Sequence, residues 1–140
     1  NTKKKTTRRL VYVKIKLYCR KLFKRIILPS CIYLNGDVGV GKTFICNEIA
    51  KYYNIHDINS SSFSIVQYHR STVNLIHCDF YRQSYTTEFF FTEIEPLLFE
   101  PWIILCEWND IMFDLPDSQS ILINIVKTTS GKREIITKID

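Results

Sequence analysis

Gly36-Asp37-Val38-Gly39-Val40-Gly41-Lys42-Thr43 satisfies every fixed position of the pattern G-x-x-x-x-G-K-[ST]. An apolar run, Cys31-Ile32-Tyr33-Leu34, precedes it and a helix-like run, Phe44 to Tyr53, follows. Strand, loop and helix thus stand in the order a phosphate-binding loop requires. Glycines let successive backbone N–H groups turn toward one anion, and the helix that follows adds its positive N-terminal end. Lys42 supplies a mobile cation for β- and γ-phosphates, and Thr43 offers a hydroxyl to Mg²⁺. The segment from Gly36 to Phe44 is therefore the candidate nucleotide-binding element, and Lys42 and Thr43 are its chemically active members. Three of the four glycines in the chain stand here. At average composition the pattern arises by chance roughly once in two hundred chains of this length.

The rest of the chain sets bounds on what that loop can serve. It has 140 residues, 46% hydrophobic and 24% charged, enough to bury a core as one domain. No apolar run approaches the ~20 residues of a membrane span, so a soluble, cytoplasmic protein is expected, with an organellar location left open. The five cysteines (Cys19, Cys31, Cys46, Cys78, Cys106) are odd in number, show no C-x-x-C spacing and fall within apolar segments. That pattern fits buried reduced thiols in a reducing compartment better than a disulfide framework or a zinc site. His56, His69 and His77 lack the spacing of metal ligands on one helix, which leaves Mg²⁺ on oxygen ligands as the expected metal.

The net charge of +5 conceals an asymmetry. Residues 1–25 hold eleven of the nineteen Lys and Arg and no acid. The remainder carries eight basic against fourteen acidic residues, a net of −6. A basic arm on an acidic body is a candidate nucleic-acid footprint, and a solvated helix face or a transit segment has the same composition. Twenty Ile against one Ala points to an AT-rich genome, which by itself inflates lysine.

In chain order, residues 1–9 read as a frayed polar tip, and Val11, Ile15, Tyr18, Leu22 and Ile26 recur at helical spacing. Pro29-Ser30 breaks that helix, and Asn54 ends the one opened by the loop. Phe63–Tyr68 and Thr72–Cys78 read as a hairpin around His69-Arg70-Ser71. Thr87–Leu98 reads as a helix that Pro96 disturbs, Trp102–Cys106 as a buried strand, and Ile121–Val126 with Glu134–Ile139 as a closing strand pair. The division expected is a basic tip over 1–10 and a nucleotide-binding domain over 11–140.

A phosphate loop needs acids at the ends of neighbouring buried strands, to hold the metal's water shell and to polarise the attacking water. Asp79 closes Val73–Cys78 and Glu107 closes Trp102–Cys106. A carboxylate after five apolar residues must find a partner, and either acid suits either role. Ser62, in the run Ser60-Ser61-Ser62, can place a further hydroxyl on the metal, while Arg82 and Arg133 suit phosphate, RNA or a surface ion pair.

These residues, taken together, resemble the TsaE (YjeE) family. Its pattern of G-D-L-G-A-G-K-T, S-P-T-[FY]-T-L-V, H-x-D-x-Y-R and [VI]-E-W is resembled, in order and at similar distances, by Gly36–Thr43, Ser60–Val66, His77-Cys78-Asp79-Phe80-Tyr81-Arg82 and Leu105-Cys106-Glu107-Trp108, within residues 28–135. The resemblance implies an α/β, single-domain P-loop NTPase fold with a central mixed β-sheet flanked by helices. It also implies an ATPase using ATP and Mg²⁺ that acts with TsaB- and TsaD-like partners in making tRNA threonylcarbamoyladenosine, meeting tRNA only through the complex and no membrane. Carried over by position, Lys42 and Thr43 take the phosphate and Mg²⁺ roles, Ser62 stands at the family's switch threonine, and Asp79 and Glu107 stand at its two acids. Ser61 replaces the proline of S-P-T and removes its φ restraint, and Asn109 replaces the proline usual after E-W. Two other classes are kept beside this one. A GTPase should show N-K-x-D and a small kinase an Arg-rich lid, where only Arg70 and Arg82 occur. A non-hydrolysing adaptor would use nucleotide only to order a docking surface.

Overall fold

The computed structural model of the protein describes residues 6–10, 14–56, 58, 65–81, 84–108 and 112–140, the first of these as backbone only. Ser30–Asn35 (β2), Asn74–Asp79 (β4) and Trp102–Glu107 (β5) are the apolar runs of the sequence, and almost every residue in them is buried. Strands covered on both faces read as continuous apolar runs, and these pair in parallel, β2 with β5 and β5 with β4. Gln119–Lys127 (β6) also pairs parallel with β2. Antiparallel strands complete both sides: Val66–Arg70 (β3) on β4, Arg133–Ile139 (β7) on β6, and Thr6–Leu10 (β1) on β7. The seven-stranded order is β1-β7-β6-β2-β5-β4-β3.

Helices Ile15–Phe23 (α1) and Lys42–Tyr52 (α2) lie on one face, where Tyr18, Leu22, Ile45 and Ile49 pack on Ile32, Leu34, Ile103, Leu105 and Ile121. Alternate residues of the same strands, Cys31, Tyr33, Ile76, Ile104 and Cys106, face the opposite layer with Phe80, Phe90, Ile94 and Phe113. This period-2 division fixes which strand residues look toward α2 and its loop. All five cysteines are free and buried, in keeping with their apolar surroundings.

Three elements differ from the sequence expectation. The hairpin turn expected at His69-Arg70-Ser71 lies at residues 71–73, because His69 and Arg70 still pair in β3, with Leu75 and Asn74. Residues 6–10, expected within a frayed tip, form β1, with Thr6 opposite Ile139 and Leu10 opposite Ile135. The otherwise unpaired outer edge of β7 supplies backbone partners that no local pattern reveals, and α1 accordingly begins at Ile15. The expected Thr87–Leu98 helix is a short α-helix at Thr87–Phe89 (α3), then a π-helical turn at Phe90–Ile94 and a 3₁₀ turn at Glu95–Leu97. Thr86 caps its start, accepting from the Phe89 N–H at 3.1 Å. At the other end Pro96 has no N–H to give to the carbonyl four residues back, so regular α geometry cannot continue.

Candidate functional site

The loop leaves β2 at Gly36 and enters α2 at Gly41. Gly36 is required by space and Gly41 by its backbone conformation. A Cβ on Gly36 (φ 151°) would lie 2.5 Å from the Ile125 carbonyl oxygen, and one on Gly41 (φ 116°) would press the Ile15 side chain at 2.9 Å. Asp37, Val38 and Gly39 are exposed on the crest, while Val40 is buried beneath it. Arg133, on β7, donates from Nε to the Val40 carbonyl at 2.6 Å, so it braces the loop from behind.

Lys42 begins α2 and is 5% exposed. Its ammonium donates to the carbonyls of Gly36 and Asp37, the latter at 2.9 Å, and lies 3.6 Å from the centre of the Trp108 ring. Burial lowers its pKa below the usual lysine value, against the opposing pull of Glu107, Asp79 and Asp37. Thr43 is next on α2 and donates its hydroxyl to Glu107 Oε1 at 3.3 Å.

Glu107 and Asp79 are register partners at the ends of β5 and β4. By alternation both lie on the α2 side of the sheet, which is why two acids 28 positions apart meet one loop. Glu107 is 1% exposed, and its second oxygen lies 2.6 Å from His77 Nε2. Asp79 is less buried and accepts from the Tyr81 N–H at 3.0 Å. Lys42, Thr43, Asp79 and Glu107 border one cleft of about 330 Å³, with Tyr81 and Trp108 at its rim. A second hollow, about 560 Å³, lies between Ile15, Phe44 and Arg133 and shares Gly41 and Phe44 with the first.

Of the residues singled out in the sequence, Gly36 to Phe44, Asp79 and Glu107 are brought together here. Ser62, Arg82 and Asn109 lie outside the described residues. Sequence reasoning missed Cys46 and His77, whose ligating atoms lie with that of Glu107 within 4.8 Å of one another. Burial, then the Glu107 charge and a hydrogen bond to it, push the Cys46 thiol well above its ordinary pKa. For His77 the signals were its place in H-x-D-x-Y-R, to which no role was attached, and its position two residues before Asp79 on the same strand, which gives it the same face.

The model of the family described as threonylcarbamoyl adenosine biosynthesis protein TsaE matches residues 12–135. The chain belongs to the TsaE family. Among its relatives, the tRNA threonylcarbamoyladenosine biosynthesis protein TsaE of Rickettsia bellii is 33% identical over 117 residues, covering 81% of each chain. The TsaE of Treponema pallidum is 25% identical over 108 residues, covering 76% of this chain and 79% of its own. The crystal structure of Bacillus subtilis YdiB superposes with a TM-score of 0.65 at 24% identity, over 96% of this chain and 85% of that one. The TsaE chain thus has the α/β P-loop NTPase fold, a mixed sheet flanked by helices. Among the described residues no helix is long and apolar enough to cross a membrane.

Proposed function

We propose that this TsaE chain binds Mg-ATP and hydrolyses it as the ATPase subunit of the tRNA threonylcarbamoyladenosine machinery, its cycle serving turnover of an assembly with TsaB- and TsaD-like partners. The observation that carries the reading is the contact of Thr43 with Glu107 at 3.3 Å, at the mouth of a cleft that also holds Lys42 and Asp79. A hydroxyl and two carboxylates form a hard-oxygen donor set, which fits Mg²⁺. Bound there, the ion would supply positive charge to offset the charge that develops on the transferred phosphoryl group.

The chain's own groups divide the remaining work. Backbone N–H groups of the loop and the N-terminal end of α2 hold the phosphates. Lys42 turns from its carbonyl partners to the β- and γ-phosphates. Thr43 and Glu107 face the metal, and Asp79, nearer the rim, polarises the attacking water. The water oxygen bonds to the γ-phosphorus, the bond to the β–γ bridging oxygen breaks with its electron pair going to ADP, and the water's proton leaves by way of Asp79. The hollow between Ile15, Phe44 and Arg133, which adjoins the loop at Gly41, takes the base.

Single-turnover hydrolysis, with and without TsaB- and TsaD-like proteins, tests this. The expected result is phosphate release that rises sharply with the partners present. Tight Mg-ATP binding with no release under either condition would overturn hydrolysis and leave a nucleotide-dependent adaptor.

A further inference from the structure

Glu107 divides its two oxygens between two tasks. Oε1 accepts from Thr43 and faces the cleft, while Oε2 meets His77 Nε2 at 2.6 Å. His77 is 1% exposed and does not border the cleft, so it cannot touch nucleotide except through Glu107. The register explains the pairing: β4 and β5 run parallel with His77 opposite Leu105 and Asp79 opposite Glu107, which sets His77 one pleat behind Glu107 on the same face. Cys46, one turn into α2 from Thr43, closes the pocket on the third side and also hydrogen-bonds to the carboxylate.

We propose that His77 is a positioning residue for the metal-facing acid: its Nε2–H donates to Glu107 Oε2 and fixes the carboxylate plane so that Oε1 stays directed at Thr43 and the cation. This rests on the reading of Glu107 as a metal-side group. Without the His77 donor, the buried carboxylate would be left to the Cys46 thiol and the Lys42 ammonium, neither of which fixes its plane. Partners that orient a metal-facing group in this way are worth about 10–100-fold in metal affinity.

The test measures ATP affinity by calorimetry across a Mg²⁺ series and in EDTA, for the parent, His77→Leu, His77→Gln, His77→Asn and Glu107→Gln. His77→Leu should raise the Mg²⁺ concentration for half-maximal ATP binding about 10-fold or more, while affinity in EDTA changes by less than about 2-fold. His77→Gln, whose amide can occupy the place of Nε2, should restore the parental Mg²⁺ dependence to within about 3-fold. The shorter His77→Asn should behave as leucine does, and it carries the comparison with glutamine if His77→Leu does not fold. A Mg²⁺ response altered by Glu107→Gln but untouched by His77→Leu or His77→Asn overturns the positioning role alone. Equal defects in His77→Gln and His77→Leu would also overturn it, by reducing His77 to a packing residue. No Mg²⁺ effect of Glu107→Gln would instead remove the metal-side reading of Glu107 and the inference with it.

Discussion

The ammonium of Lys42 rests 3.6 Å from the centre of the Trp108 ring, so the loop's cation is held by an aromatic face at the very site where phosphate would compete for it. Trp108 reaches this position through a left-handed backbone (φ 63°) directly after Glu107, and its ring lies 4.8 Å from that of Tyr81. Mg-ATP should draw Lys42 off the ring and change the indole emission. The chain has two tryptophans, and the other, Trp102, is 6% exposed at the far end of β5. Trp108→Phe should therefore abolish most of the nucleotide-dependent fluorescence change. Retention of the full change in that variant would place the reporter, and the contact's response, elsewhere.

Lys42→Ala removes the one cation that the loop itself positions, and Mg-ATP binding is expected to disappear by calorimetry while the fold persists. Burial already opposes charge on Lys42, so phosphate oxygens replace a costly environment with a strong partner. Parental affinity in a folded Lys42→Ala protein would remove the phosphate-loop function.

Asp79→Ala and Glu107→Ala should each lower hydrolysis by about 10²-fold or more in the presence of partners, with much of nucleotide binding kept. Glu107→Ala also leaves His77 and Thr43 without their shared acceptor, so a lower melting temperature is expected for it than for Asp79→Ala. An acid whose alanine variant hydrolyses ATP at the parental rate is structural.

Much of this site was legible in the sequence because its decisive features are local. Gly36 to Thr43 is contiguous, and the apolar runs that end in Asp79 and Glu107 declare buried strands whose last residue must face something polar. What escaped depends on pairs that only the folded sheet brings together. His77 and Glu107 are 30 residues apart. Arg133, read as suited to phosphate, RNA or a surface ion pair, donates its Nε–H to Val40 across 93 residues. Thr6–Leu10 has one apolar residue among five, and it is a strand because β7 offers an edge, not because its own pattern demands one.

Tyr18 ties α1 to β7, its hydroxyl 2.6 Å from Thr137 Oγ1. Burial pushes its pKa up to about 12 from 10.0. The folded state therefore keeps a proton that the unfolded chain loses above pH 10. The stabilisation is complete below that pH and is lost as pH rises through about 12. For a side chain 5% exposed this amounts to at most roughly 3 kcal/mol. Tyr18→Phe should cost about 1 kcal/mol at neutral pH and flatten the fall in stability between pH 10 and 12, read by urea unfolding at each pH. An unchanged alkaline slope would assign that fall to the other groups whose pKa burial raises, Cys19 and Tyr53 (each to about 12) among them.

The basic arm calls for two separate experiments, because part of it is structural. Deleting residues 1–10 removes β1 and bares the outer edge of β7 along Ile135–Ile139, so lower stability and self-association are expected whether or not the arm meets RNA. That deletion cannot report on nucleic acid by itself. Replacing Lys3, Lys4 and Lys5 with glutamine leaves the paired segment Thr6–Leu10 intact and isolates the charge. If these lysines neutralise phosphates in the assembled complex, RNA affinity falls with salt and the variant's slope is shallower by about 0.7 to 0.9 log units per log salt for each lost contact. Melting temperature, measured on the same variant, separates a loss of charge from a loss of stability. Identical salt slopes for parent and variant would exclude phosphate contact by these lysines.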